Sequence, residues 1–245
     1  MGAPKLLVLH GYGDTIFSWT GWLLWLGKRF HVFALDFPGS QGMSPLPKSG
    51  APVLDDHVAT VEELLATRVG RTDFILSNSM GGWVALRVAS RQADRVGHVI
   101  ALNPGGAFTN EKDALHAYAL FQVESYADYI RLMSHLWHKV PVAFYPASVL
   151  GLYQFTRRPE FTVLPSAVER SHFLNEVLPS LRVPVSVVWG TGDRLFPESM
   201  GRLIAELAPN GTYHPIERAG HMPQLERPRE LARILNQIFT RASTR

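Results

Sequence analysis

Short apolar runs alternate with longer segments of helical periodicity along most of this chain, and that alternation leaves few folds open. Residues 5–10, 31–36, 73–76, 96–102 and 183–189 read as buried strands, four followed directly by Gly, Ser or Asn and 31–36 closed by Phe37-Pro38-Gly39. Between them lie helical patterns at 18–28, at 54–69 with Val58, Val61, Leu64 and Leu65 on one face, and from the Ser79 turn to Ser90. Two more follow at 198–207 and 228–240, separated by a weaker strand at 212–216. Strands buried on both faces and joined by helical crossovers predict an α/β fold: a mostly parallel sheet flanked by helices.

The composition supports one sizeable core. With 46% hydrophobic and 18% charged residues over 245 positions, the chain has the apolar surface to fold, and disorder is excluded. The net charge is +3, but the basic residues are scattered, and pairs such as Lys28-Arg29 and Arg157-Arg158 stand alone. No basic stripe with interleaved aromatics offers itself to a nucleic acid. There is no cysteine, hence no disulfide, thiolate metal site or thiol nucleophile. The apolar run Leu6–Leu9 is too short for a signal peptide, and no stretch approaches a membrane span. The cytoplasm is the expected location.

Between residues 104 and 181 the rhythm changes. The pattern is helical, punctuated by Pro141, Pro146, Pro159 and Pro165, and about 80 residues separate two successive core strands. Twelve of the 66 residues from Phe108 to Phe173 are aromatic, enough to mark this stretch off from the 11% of the whole chain. The expected division is a core of residues 1–104 and 181–245 with a helical cap, 105–180, inserted after the strand that follows the Ser79 turn.

Ser77-Asn78-Ser79-Met80-Gly81 sits at a strand-to-helix junction. A serine projected from a sharp turn needs small residues two positions before and after it, and Ser77 and Gly81 are small. Downstream, Asp193 follows a strand and His221 lies in a loop before the last helix. A serine hydroxyl becomes a nucleophile when a base takes its proton; His221 is the candidate base, and Asp193 the group that fixes its tautomer. The developing oxyanion requires prepositioned N–H donors. The backbone N–H groups of Met80, at the head of a helix, and of Tyr12, in the turn after the first strand, are the candidates. His10 is expected to bond across neighbouring loops.

The chain resembles the α/β-hydrolase superfamily, in its capped esterase-like branch. The resemblance rests on His10-Gly11, Asp36-Phe-Pro-Gly39, Gly42-Met-Ser44, Ser79-Met-Gly-Gly82, Gly192-Asp193, and Gly220-His221-Met-Pro223 with Glu226 and Pro228. It implies a Ser79–Asp193–His221 triad and an oxyanion hole at Tyr12 and Met80. Three departures stand out: Ser77 replaces a glycine, the loop 38–42 is one residue longer, and the first strands of larger members are absent. Serine at the turn excludes the dehalogenase and epoxide hydrolase relatives, which carry aspartate there. No metal or cofactor is implied, and His135 and His138, the one notable helical histidine pair, read as cap surface.

The implied reaction is hydrolysis of a carboxylic ester, thioester or lactone through an acyl-serine intermediate, on a small substrate with an apolar or aromatic group. Phe108, Tyr118, Phe121, Tyr126, Tyr129, Trp137 and Tyr153 are the cap aromatics available to it, and Arg131, Arg157 and Arg158 could meet a carboxylate. The same residues would serve a C–C bond hydrolase or lyase, a cofactor-free perhydrolase, or a receptor of this fold without turnover.

Overall fold

The computed structural model describes residues 2–40, 53–108, 110–140, 153–156, 161 and 167–243. Six strands, β1 (Lys5–Leu9), β2 (His31–Leu35), β3 (Phe74–Asn78), β4 (Val99–Leu102), β5 (Val185–Gly190) and β6 (Gly211–Ile216), form one sheet in the order β2-β1-β3-β4-β5-β6. Every neighbouring pair is parallel. The helices are α1 (Thr20–Leu26), α2 (Leu54–Leu64), α3 (Met80–Arg91), α4 (Glu111–Leu120), α5 (Tyr126–Leu136), α6 (Tyr153–Thr156), α7 (Glu198–Leu207), α8 (Pro223–Glu226) and α9 (Pro228–Ser243).

Side chains alternate across a strand, so a sheet covered on both faces must be apolar at consecutive positions. Leu7, Leu9, Ile75, Val99, Val185 and Val187 pack in the core shared with α2, α3 and α7. Leu6, Val8, Phe74, Leu76, Ile100 and Val188 pack in the second core, shared with α1 and α9. Helix α9 buries Leu231, Ile234, Leu235, Ile238 and Phe239, the i, i+3, i+4, i+7, i+8 stripe of a helix lying on a sheet.

Two boundaries differ from the sequence pattern. The run at 96–102 contributes a strand only from Val99, because Gly97 lies against the Asp73 backbone, where a Cβ would come within 2.6 Å of the carbonyl oxygen. The helical pattern at 54–69 relaxes after Leu64 into a π-type turn, Leu65–Val69, closed by Gly70 at φ 76°. Between β4 and β5 the described residues form helices and turns, with no strand. None of the described helices is long and apolar enough to cross a membrane.

The order places a reversal between β1 and β3: the chain leaves β1 toward β2 on one side and leaves β3 toward β4 on the other. Crossovers diverge there and open a crevice at the carboxyl ends of the two strands, the usual ligand position in an open parallel sheet. The Gly11–Asp14 turn and Ser79 lie at those two ends.

The second core depends on an aromatic trio in which the Phe239 ring lies 4.7 Å from Phe30 and 4.9 Å from Phe74. Phe239→Ala should therefore cost about 3–5 kcal/mol of unfolding free energy in urea. A loss below about 1 kcal/mol would mean that α9 is not held by this contact.

Candidate active site

Ser79 lies between the last residue of β3 and the first of α3, with φ 54° and ψ −119°. A non-glycine residue at this φ carries about 1–3 kcal/mol of strain and persists only where the surroundings dictate it. Its N–H donates to the Leu102 carbonyl at 2.9 Å, and its own carbonyl accepts from Gly82 and Trp83 at 3.0 and 3.1 Å. Gly81 lets the turn close onto β1: a Cβ there would stand 2.5 Å from the His10 carbonyl oxygen and 2.8 Å from that of Leu9. Ser77, where the resemblance leads one to expect glycine, is fully buried, and its hydroxyl donates to the Ile100 carbonyl at 3.2 Å. The added hydroxyl is thus satisfied within the sheet.

His221 Nδ1 donates to Asp193 Oδ2 at 2.7 Å, with the aspartate side chain wholly buried. Its acceptor partner fixes the proton on Nδ1, which leaves Nε2 with a lone pair. Nε2 is buried and makes no hydrogen bond to the described residues. Asp193 is itself held from three sides. Its Oδ1 accepts from the N–H groups of Leu195 and Phe196 at 2.8 and 3.2 Å, and Oδ2 accepts from Asn103 Nδ2 at 2.8 Å. Such bonds suit an ionised carboxylate taken out of water.

Two asparagines that had no sequence signal of a role tie these parts together. Asn103, at φ 41° just after β4, also accepts the Gly190 N–H at 2.9 Å, so it joins the end of β4 to the acid loop. Asn78 donates to the Leu102 and His221 carbonyls, both at 3.0 Å, and accepts from Gln224 Nε2 at 3.2 Å. The histidine loop is thereby fastened to the residue next to Ser79. An Asn beside a turn reads as a turn former, so the only local hint was the Asn103-Pro104 pair.

The helices between β4 and β5 also enter the site. Carbonyls at the carboxyl end of α5 accept from the two functional loops: Leu136 from the His221 N–H at 2.7 Å, and His135 from the Arg194 N–H at 3.2 Å. Glu226 accepts from Gly220 N at 2.7 Å and from His138 N at 3.0 Å, and burial pushes its carboxyl up from the usual range. His135 and His138 are not a helical pair: α5 ends at Leu136, and Trp137 turns extended (φ −108°, ψ 139°) to bury its ring. No cluster of three metal-ligating side chains occurs among the described residues.

Ser79 and His221 line one cavity of about 540 Å³. Tyr12, Phe121, Tyr129, Trp137 and Phe161 form aromatic walls, with Leu132, Met133, Leu136 and Leu195 between them. The Tyr12 ring stacks on Phe161 at 4.9 Å, and its hydroxyl donates to the Phe161 carbonyl. Of the other aromatics between β4 and β5, Phe108 packs on Phe173, Tyr153 packs on Tyr126, and the Tyr118 side chain lies outside the described residues. Arg131 pairs with Asp128 at 3.1 Å and is half-exposed. Arg157, Arg158, Pro141, Pro146, Pro159, Pro165 and the loop from Gln41 through Ser44 lie outside the described residues.

The turn after β1 completes the mouth. Gly11 lies against Ser79, where a Cβ would be 3.2 Å from the serine Cβ. Met80 is the first residue of α3, so its N–H belongs to the group with no acceptor inside the helix. His10 bonds across loops as expected: Nδ1 donates to the Gly11 carbonyl at 2.7 Å and Nε2 accepts from Phe37 N at 3.1 Å. That pattern requires a neutral ring, in keeping with a pKa lowered by burial.

The family model described as "Alpha/beta hydrolase family" matches residues 6–234. The chain belongs to the α/β-hydrolase family. It is 27% identical over 247 residues to pimeloyl-[acyl-carrier protein] methyl ester esterase of Methylococcus capsulatus, covering 96% of this chain and 94% of that protein. It is 23% identical over 252 residues to mouse monoacylglycerol lipase ABHD6, covering 95% of this chain and 74% of the other. Among solved structures, 2-hydroxy-6-oxo-6-phenylhexa-2,4-dienoate hydrolase from Rhodococcus sp. superposes with a TM-score of 0.82 at 22% identity, over 97% of this chain and 91% of that one. As an α/β-hydrolase the chain keeps the family's parallel sheet with helices on both faces.

Asn103→Ala would strip Asp193 of a donor and Gly190 of an acceptor in a buried place. A loss of about 1–3 kcal/mol in denaturant unfolding is expected. An unchanged midpoint would show that the bonds to Leu195 and Phe196 suffice to hold the acid.

Proposed function

We propose that this α/β-hydrolase is a serine esterase whose triad is Ser79, His221 and Asp193. The observation that carries the reading is the His221–Asp193 bond, which leaves an unpartnered Nε2 in the same cavity as a strained serine. His221 Nε2 takes the Ser79 proton as Oγ adds to the ester carbonyl, and Asp193 stabilises the imidazolium that forms. The Met80 and Tyr12 N–H groups receive the oxyanion, with the amino end of α3 adding its dipole. Collapse of the tetrahedral intermediate passes the proton from Nε2 to the departing alkoxide and leaves an acyl-serine. Water, deprotonated by the same nitrogen, then releases the acid and regenerates the hydroxyl.

In this reading, residues 1–104 and 181–245 are the catalytic core and 105–180 the cap. Its support is the placement of α4, α5 and α6 between β4 and β5, with Tyr129, Leu132 and Met133 of α5 over the cavity. Walls of this kind fit a small ester with an apolar or aromatic portion, and two relatives are named as an ester hydrolase and a lipase. The cysteine-free composition supports a cytoplasmic setting.

Turnover of p-nitrophenyl esters of graded chain length tests the reaction. Ser79→Ala should remove nearly all of it while leaving the unfolding midpoint within about 1 kcal/mol, and Asp193→Asn should lower kcat about 10³- to 10⁴-fold. Asp193→Asn at near wild-type rate would place the acid elsewhere.

A further inference from the structure

Among the described residues that line the cavity beside Ser79, one is acidic. Asp14 lines it, on the turn that carries Tyr12. Its Oδ2 accepts from Ser18 Oγ at 2.6 Å, and Ser18 lines the same cavity. No Lys or Arg among the described residues is paired with it, and burial raises its pKa. Two other hydroxyls on the walls have partners of their own: Thr156 donates to the Tyr153 carbonyl at 2.7 Å, and Thr15 accepts from Phe17 N at 3.3 Å as the cap of the following turn. A carboxylate offers about four acceptor positions; Ser18 Oγ and the Thr15 backbone N–H take two of them, and two remain. A charged acceptor set among apolar walls costs free energy unless something donates to it.

We propose that Asp14, oriented by Ser18, is a specificity-determining subsite that accepts a hydrogen bond from a substrate hydroxyl. The preferred substrate is then an ester carrying a free hydroxyl on its alcohol or its acyl arm, with an apolar remainder, and a free carboxylate is repelled. This inference rests on the esterase reading and narrows its substrate class. Removing the acid relieves a partly buried charge and makes the cavity more apolar, at the expense of discrimination.

Two isosteric pairs test the idea, each differing only in a terminal hydroxyl against a methyl group. On the alcohol arm they are 2-hydroxyethyl butyrate and propyl butyrate; on the acyl arm, methyl 6-hydroxyhexanoate and methyl heptanoate. The wild type should favour the hydroxylated member of at least one pair by about tenfold or more in kcat/KM. The pair that responds identifies the arm. In Asp14→Leu the preference should shrink to within about twofold, because kcat/KM rises for the methyl-terminated ester and falls for its partner. Asp14→Asn, which keeps an oxygen toward Ser18, should retain an intermediate preference. A merely structural role for Asp14 would lower both members of a pair alike, leave the ratio unchanged and overturn the proposal. So would a wild type without preference in either pair. Fluorophosphonate labelling of Ser79, which needs no hydroxyl on the reagent, separates the two readings. A labelled enzyme without preference loses the subsite alone, whereas an unlabelled enzyme that hydrolyses none of the four esters loses the esterase reading as well.

Discussion

The close packing of the Ser79 turn onto the end of β1 is the constraint on which the rest of the site is built. A left-handed φ at a serine is unfavourable by itself, and here it is set by a hydrogen bond into β4 on one side and the first turn of α3 on the other. Glycine at 81 allows the approach, since any side chain would meet two backbone oxygens of β1. The same approach brings the turn after β1 against Ser79, so the serine and the neighbouring N–H groups are positioned by one contact. Neither β1 nor β3 could shift along the sheet without dismantling that arrangement.

Asp193 and His221 lie on loops, and loops need ties. Asn103 and Asn78 supply them from the ends of β4 and β3, joining each loop to the rigid sheet through buried amides. The carboxyl end of α5 supplies two more through carbonyls that a helix leaves without internal partners. The helix over the cavity is therefore bonded to the loops of both Asp193 and His221, and a displacement of α5 would be felt at the histidine. Glu226 adds a further tie, between Gly220 and His138, at the cost of a carboxyl held away from water.

Sequence reasoning reached the parallel sheet and the short segments carrying Ser79, Asp193 and His221, because each sits where a strand or helix pattern breaks at a local signal. Strand β3 runs into the small residues around Ser79, and helix α7 starts and stops within the span its periodicity defines. What it missed is long-range. Nothing near Asn78 in the chain announces a bond to the carbonyl of a residue 143 positions away. Asp14 reads as one more turn aspartate until the fold places it in an apolar cavity. The helical spacing read for His135 and His138 is lost for a related reason: α5 ends at Leu136, where Trp137 turns extended and buries its ring, a tertiary demand.

The central claim is that Ser79 is activated by a histidine held in one tautomer by a buried aspartate. Intact-mass spectrometry after treatment with a fluorophosphonate tests it most directly, comparing the wild type with Ser79→Ala and His221→Ala. The account predicts a single adduct on the wild type, none on Ser79→Ala, and labelling slowed by orders of magnitude in His221→Ala. An adduct that persists in Ser79→Ala, or a folded wild type that takes none, would contradict it.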